Sequence, residues 1–394
     1  MLGRRSATMG RLAMALALPT AAGLALGGCA APLESAGKTD RIELVSSATI
    51  DGYAFELYRN TRYPCSISGY QTFVIGTKLG SSATAPRPLW VRMRGGGVGY
   101  FDSEGRPQPS AGNKTEEGLT SLANTVRQVG LNARVRDDPA GFRLLSVSMC
   151  DHDIYSGGDQ PDPNNPNRQP DGSGRSTNGL FATKAAIQYA TAKLPTNKTF
   201  LHGTSAGSFG AFSVAYGMER QGVPLAGAVG DSGVLNIEWQ EASAAQQVCS
   251  GVRPQSVLDA VGARLHPDLT NRDNQPDKLV GRGALTVPLM HVWSRGDNNQ
   301  CGETPMSCPL RDGTTRTLGS VDCHHEPLRA AIAAKGPTSR SRNLRLCVAQ
   351  PGGSPGSCGR HTPTTDDLTN TDPAEAADYN GTIMTWVRAR VGDP

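Results

Sequence analysis

A chain of 394 residues is long enough to bury one large core, and its formal charge of only +4 leaves little field to attract a polyanion. Its 39 basic residues form no dense run of the kind that tracks a phosphate backbone, which excludes nucleic acid as an expected partner. At this size the nine cysteines do not make a small disulfide scaffold either.

The first 28 residues contain no acidic group. They start with Arg4, Arg5 and Arg11, continue as LAMALALPTAAGLALGG, and meet Cys29 at the end of Leu-Gly-Gly-Cys. A basic start followed by an apolar stretch ending in small residues reads as an export signal that takes no part in the fold. The Leu-Gly-Gly-Cys ending resembles the bacterial lipobox, which implies acylation of Cys29 and attachment to the cell envelope on its periplasmic or cell-surface side. Ordinary secretion with cleavage near Ala30 is the alternative. The Arg4-Arg5 pair lacks the apolar and lysine positions of a twin-arginine signal. Without those 28 residues, 366 remain, and the formal charge falls to +1 because three arginines leave with no acid. No later apolar stretch is long enough to span a bilayer.

Residues 29–40 read as a short flexible tether, and 41–394 as a single domain. Short β-rich runs come first, YAFELYR (53–59), YQTFVIG (70–76) and PLWVRMR (88–94), and the three suit an antiparallel edge. In TEEGLTSLANTVRQVG (115–130), Leu119, Leu122, Val126 and Val129 recur at helical spacing. FRLLSVSMC (142–150) is a strand, and STNGLFATKAAIQYATAKL (176–194) a helix with Leu180, Ala186, Ile187, Ala190 and Leu194 on one side. The strand KTFLHG, a small-residue helix to about Arg220 and the apolar run PLAGAVG (224–230) follow. Then come ALTVPLMHVW (284–293), a helix at EPLRAAIAAKG (326–336), the strand NLRLCVAQ (343–350) and a closing helix within PAEAADYNGTIMTWVRARV. From Trp90 onward strands alternate with helices, which predicts a doubly wound, mostly parallel α/β sheet covered on both faces. The polar stretch SGGDQPDPNNPNRQPDGSGRS (156–176) predicts a mobile loop or lid at the strand ends; its aspartates fit no calcium spacing.

Apart from Cys29, eight cysteines remain: Cys65, Cys150, Cys249, Cys301, Cys308, Cys323, Cys347 and Cys358. An even number in an exported chain predicts disulfides of open connectivity, with Cys347 and Cys358 bracketing a turn-rich loop as a local pair. No Cys-x-x-Cys occurs, so no metal site is expected.

Gly-x-Ser-x-Gly occurs twice, around Ser205 in HGTSAGSFG and around Ser354 in GGSPG. A nucleophile elbow needs a strand feeding a sharp turn and a helix leaving it. Ser205 has both, with Gly203 and Gly207 where a Cβ would obstruct close strand–helix packing; Phe209, Phe212 and Tyr216 suit the sheet side of that helix. Ser354 lies between prolines with no helix after it and is a loop serine. A serine hydroxyl needs a base and an orienting acid. Asp297 follows the penultimate strand and His361 the last one, in the chain order Ser, Asp, His. His291 reads as a core histidine, His202 as a support for the elbow, and His324 and His325 as surface or capping residues. The amide of Ala206 is one expected oxyanion donor, and Gly96 or Gly97 of the Gly95–Gly99 stretch the other. Gly-Gly-Gly-x-Gly does not have dinucleotide-fingerprint spacing, and no cofactor is called for.

With these motifs in order, the chain resembles the pectin acetylesterase family, which includes the Notum-type carboxylesterases. RMRGGGVGYF is similar to the family's oxyanion loop, SVSMCDHDIYSGGD to its Tyr-Cys-Asp-Gly and Ser-Gly-Asp segment, and HGTSAGSFG to its elbow. AGAVGDSGVL is similar to its Asp-Ser-Gly segment, and CGRHT to its Cys-x-x-His. The resemblance spans roughly residues 53–390 and implies an α/β-hydrolase fold with Ser205, Asp297 and His361 as its triad. Val98 and Gly99 stand where the family has Trp-Cys, so Cys150 needs another partner, for which Cys65 is a candidate. Asp151-His152 replaces the family's Asp-Gly. Asp151 and Asp231 are possible pocket residues, a turn or cap role being the alternative for Asp231.

The expected protein is an exported, monomeric serine carboxylesterase that removes short acyl groups, acetyl above all, from a polysaccharide or related ester. It would be held at a membrane through Cys29. The alternatives are a lipase, depolymerase or peptidase on the same scaffold, and a non-catalytic glycan-binding envelope lipoprotein.

Overall fold

The structure is a computed structural model whose described residues run from 31 to 393, apart from 68, 111–115, 163, 170, 250–254 and 355. The expected signal at 1–28 and Cys29 lie outside the described residues. Four strands open the fold: β1 (Ile42–Ile50), β2 (Tyr53–Pro64), β3 (Tyr70–Lys78) and β4 (Arg87–Met93). A small hairpin, β5 (Gly99–Phe101) with β6 (Pro107–Pro109), leads to helices α1 (Leu119–Arg127) and α2 (Gly130–Arg136). Next come β7 (Arg143–Val147), a short ladder of β8 (Gln160–Pro161) on β9 (Ser176–Thr177), and α3 (Gly179–Lys193). Strand β10 (Thr196–Thr204), helix α4 (Ala206–Arg220) and strand β11 (Gly227–Asp231) follow. Four helices, α5 (Ile237–Gln246), α6 (Gln255–Gly262), α7 (Pro267–Thr270) and α8 (Pro276–Gly281), precede β12 (Leu289–Ser294). The chain closes with the hairpin β13 (Pro305–Pro309) and β14 (Thr315–Gly319), then α9 (Ser320–Ala333), β15 (Arg342–Leu346) and α10 (Tyr379–Val391).

Nine strands form one sheet in the order β1-β2-β3-β7-β4-β10-β11-β12-β15. The six from β7 to β15 are parallel, and β1, β2 and β3 add an antiparallel flank. This is the expected α/β architecture with one correction. PLWVRMR is not an edge strand: β4 lies inside the sheet, parallel to both β7 and β10. The true edge is β1, whose residues from Glu43 to Thr49 are exposed on both faces. Its register slips between Leu44 and Ser46, a bulge of the kind that protects an open edge from pairing further.

Alternation along the inner strands builds two cores. Leu89, Val91, Met93, Leu145 and Leu201 face one side with residues of α3, α4 and α9. Trp90, Leu144, Phe200 and Val229 face the other with residues of α1, α2 and α10. The chain leaves β4 toward β7 on one side and returns to β10 on the other, so the winding reverses between β4 and β10. Open parallel sheets bind ligands at the strand carboxyl ends at such a reversal.

The expected tether is packed along its described part. Leu33 is buried in the first core, and the buried Lys184 of α3 donates to Leu33 O at 2.8 Å and Ser35 O at 2.7 Å. Gly37 lies so close to α3 that a Cβ there would sit 2.2 Å from Ala185 N. Lys184 is the physical reason: a buried ammonium has to find acceptors, and these carbonyls supply them. Helix α3 is therefore buried on two sides. All four disulfides are formed, Cys65–Cys150, Cys249–Cys301, Cys308–Cys323 and Cys347–Cys358.

Candidate active site

Ser205 stands between β10 and α4 with φ 52° and ψ −123°, a conformation that costs a non-glycine residue energy and tends to persist only at functional sites. The turn is this tight because its glycines allow it. A Cβ on Gly203 would lie 1.8 Å from Gly207 O, and one on Gly207 would lie 2.1 Å from Met93 O. Both contacts are to backbone, so neither position can hold a side chain without moving α4 away from the sheet. Ser205 N donates to Asp231 O at 2.8 Å, fastening the elbow to the end of β11.

Asp297 follows β12 and is fully buried. Its Oδ1 accepts from Asn299 N at 2.9 Å and its Oδ2 lies 2.6 Å from His361 Nδ1. The Cys347–Cys358 disulfide closes the loop after β15 three residues before His361. Cys358 O then accepts from Gly296 N at 3.1 Å and from Ser294 Oγ at 2.6 Å, latching that loop to the one bearing Asp297. On the other side Thr362 N donates to Ser232 Oγ at 3.1 Å. Asp231 and Ser232, adjacent in sequence, thus hold the elbow and the His361 loop side by side, and Ser205 and His361 line one cavity. Among the described residues Ser205 Oγ makes no hydrogen bond, so the proton contact with the imidazole is open in this state.

The glycine-rich loop leaves β4 beside the elbow. A Cβ on Gly95 would meet Ser205 Cβ at 2.9 Å, which makes Gly95 the loop residue in contact with the serine, and Gly97 lines the cavity. The amides of Gly96, Gly97 and Ala206 have no acceptor among the described residues. They are the donors an oxyanion would need.

The cavity has a volume of about 1070 Å³, just above the roughly 300–1,000 Å³ usual for small-molecule sites. Val98, Ile154, Phe209, Leu235, Trp239, Leu258, Val261 and Leu265 give it an extensive apolar wall. Its roof is formed by helices α5, α6 and α7, where no element was expected. Helix α6 has no fully buried side chain, and its Leu258 and Val261 face the cavity instead of the core. The Cys249–Cys301 disulfide ties one end of this roof to the loop of Asp297. At the other end the buried Arg264 donates to Asp162 Oδ1 at 2.7 Å, to Asp151 O at 2.7 Å and to Gly99 O.

None of the described residues of 156–176 lines the cavity, and the segment expected as a lid is pinned at Ser156, Asp162 and Asn165, all buried. Asp151 is not a pocket residue. Its carboxylate accepts from Ser66 N and, at 2.7 Å, Asn178 N, away from the cavity, and burial raises its pKa and that of the neighbouring Asp153. Asp231 lies behind the cavity wall rather than in it; burial pushes its carboxyl up to about 6 against the bond it accepts from Thr364 N. His291 and His202 are core residues. His324 and His325, expected in a surface or capping role, are buried as well, because α9 starts at Ser320 and not near Glu326. His324 stacks on Trp239 with ring centroids 4.1 Å apart and lines the cavity. The sulfurs of Cys65 and Cys150 lie beside Asp151 but are bonded to each other, so that cluster offers no metal site.

No family model matches the chain, and no curated protein does. Among solved structures, a candidate acetyl xylan esterase from Bacteroides fragilis is similar to it, with 14% identity and a TM-score of 0.42 over 91% of this chain and 84% of that one. The rice cell wall degrading esterase LipA from Xanthomonas oryzae has 11% identity and a TM-score of 0.37 over 79% and 91%. A thermostable esterase from Pseudomonas putida has 13% identity and a TM-score of 0.40 over 78% and 74%. Likeness at this level carries no weight for what this chain does.

Proposed function

We propose that the protein is an exported serine carboxylesterase. Ser205 Oγ attacks the ester carbonyl as His361 Nε2 takes its proton, and Asp297 holds the imidazole by Nδ1. The tetrahedral oxyanion rests on the amides of Ala206 and of Gly96 or Gly97. Collapse breaks the bond to the alcohol, which leaves with the proton from His361; water then releases the acid by the same steps in reverse. The observation that carries this reading is the shared cavity, into which a strained serine, a histidine paired at 2.6 Å with a buried aspartate and Gly97, whose amide is unspent, all open. Ser205→Ala should lose at least on the order of 10⁴ in kcat on p-nitrophenyl esters and all labelling by a fluorophosphonate. A wild-type chain that fails to label would revive the glycan-binding alternative.

The substrate reading is an acyl ester, on a polysaccharide by the resemblance to pectin acetylesterases. The apolar wall favours an acyl group larger than acetyl, as in the lipase or depolymerase alternative. Each methylene buried there is worth about 0.8 kcal/mol, a roughly fourfold rise in kcat/KM per methylene from acetate upward until the wall is covered. A steady fall from acetate onward would return the reading to acetyl. Export is supported by four disulfides, and the lipid anchor by the Leu-Gly-Gly-Cys sequence at Cys29. Metabolic labelling with a fatty-acid analogue, lost in Cys29→Ser, tests the anchor.

A further inference from the structure

Behind Ser205 runs a buried chain of hydrogen bonds, Trp90–Asn132–His202–Thr364–Asp231, whose protons can be counted from its far end. Trp90 Nε1 donates to Asn132 Oδ1 at 3.0 Å, and Asn132 Nδ2 donates to Thr125 O at 3.1 Å, which fixes the amide with its oxygen toward His202. His202 Nδ1 lies 3.1 Å from that oxygen and must carry a proton. His202 is neutral, because burial and the nearby Arg92 guanidinium hold its pKa well below the ordinary value. Its Nε2 is therefore bare, and the Thr364 hydroxyl 3.0 Å away spends its single proton there. Yet Thr364 Oγ1 also lies 2.5 Å from Asp231 Oδ2. With His202 neutral, a proton on Asp231 closes that contact.

We propose that Asp231 is a positioning residue that works as a neutral acid, contributing one proton to the Asp231–Thr364–His202 relay and thereby fixing the His361 loop. Its Oδ2 accepts from Thr364 N at 2.8 Å, and its Oδ1 from Ser232 Oγ at 2.8 Å, the hydroxyl that also receives Thr362 N. Moving the proton to His202 would also satisfy each contact, but would place a cation beside buried Arg92. Losing it leaves two acceptors face to face in the interior, a cost that falls on the residues carrying His361. The other groups facing Asp231 are Arg92 on β4, Tyr379 on α10 and His361 itself. Tyr379 is engaged with Pro363 O at 2.6 Å.

The kinetic consequence rests on the esterase reading; the proton count does not. Infrared difference spectra at about pH 5, below the value of about 6 to which burial raises the Asp231 carboxyl, should contain a carboxylic-acid carbonyl band that disappears in Asp231→Asn, and ¹⁵N NMR should find His202 neutral with its proton on Nδ1. Thr364→Val, which cuts the relay but keeps the amide bond, should lower kcat per fluorophosphonate-titrated site about 10- to 100-fold with little change in KM. It should also move the alkaline limb of kcat to lower pH, and Thr364→Ser should restore both. Absence of an Asp231-specific acid band, or a His202 proton on Nε2 alone, overturns the relay. A folded Thr364→Val variant within about twofold of wild-type kcat overturns the positioning role. If that variant does not fold, the two spectroscopic measurements on the wild-type chain still decide. If the wild type does not label, the esterase reading fails and the relay is judged on those same spectra.

Discussion

Replacing Asp297 by Asn changes one atom in a fully buried group whose two oxygens are both committed, to Asn299 N at 2.9 Å and His361 Nδ1 at 2.6 Å. The amide has only one oxygen to offer. If it stays on Asn299 N, the NH₂ faces His361 Nδ1, the imidazole proton moves to Nε2, and no lone pair is left for Ser205. If the amide turns over, its NH₂ opposes the Asn299 N–H inside a buried side-chain site, which costs about 1–3 kcal/mol. The inactive tautomer is thus favoured roughly 5- to 150-fold. The variant also loses the charge that stabilises the imidazolium, and together the two effects should lower kcat about 10⁴-fold, near 5.5 kcal/mol of barrier. The assay is p-nitrophenyl ester hydrolysis per mole of folded protein, with thermal unfolding as the check on folding. A folded Asp297→Asn chain within about tenfold of wild-type kcat would refute Asp297 as the orienting acid.

Gly207→Ala places a Cβ 2.1 Å from Met93 O, so α4 must lift from β4; the expected cost is about 3 kcal/mol, read as a lower denaturant midpoint, with a matching loss of fluorophosphonate labelling. Cys249 and Cys301 are half-exposed while the other six bonded sulfurs are buried, so mild reduction without denaturant should open this disulfide first, as mass spectrometry of alkylated thiols would report. Cys249→Ser with Cys301→Ser releases a 52-residue separation, lowering unfolding free energy by up to about 4 kcal/mol and raising KM as the roof loosens. Burial lowers the pKa of His324 from 6.5 to about 4, so its neutral form is favoured in the fold and the associated stability is lost as pH falls from 6.5 toward 4. Acidification from about pH 7 to 5 should therefore cost the wild type about 2 kcal/mol more than His324→Gln, whose amide can still donate to Val234 O; equal losses by calorimetry would contradict this.

The elements that were legible from sequence are those whose pattern is set by packing against the sheet. Leu89, Val91 and Met93 alternate with Trp90 because two cores face β4, and Leu180, Ala186, Ile187 and Ala190 share a side because α3 lies on one of them. Strand β1 escaped notice because IELVSSATI is exposed on both faces and has no period to detect. The roof escaped for a related reason: α6 turns Leu258 and Val261 toward a void, and a void imposes weaker periodicity than a core. Helix α9 was read from Glu326, six residues after its true start at Ser320, which left two buried histidines in a surface or capping role. Ser205, Asp297 and His361 stood out because strand ends are recognisable. Thr364 and Arg264 are single polar residues in polar surroundings, and only the folded chain reveals what they touch.

Leading segments of most domains fray at little cost and are the first to be nicked by proteases. Here, peeling back the stretch around Leu33 would strip a side chain from the main core and strand the ammonium of Lys184 in the interior. Cleavage between Leu33 and Lys38 should then keep pace with global opening of the molecule rather than with local breathing, which turns this short stretch into a built-in gauge of how often the whole chain lets go.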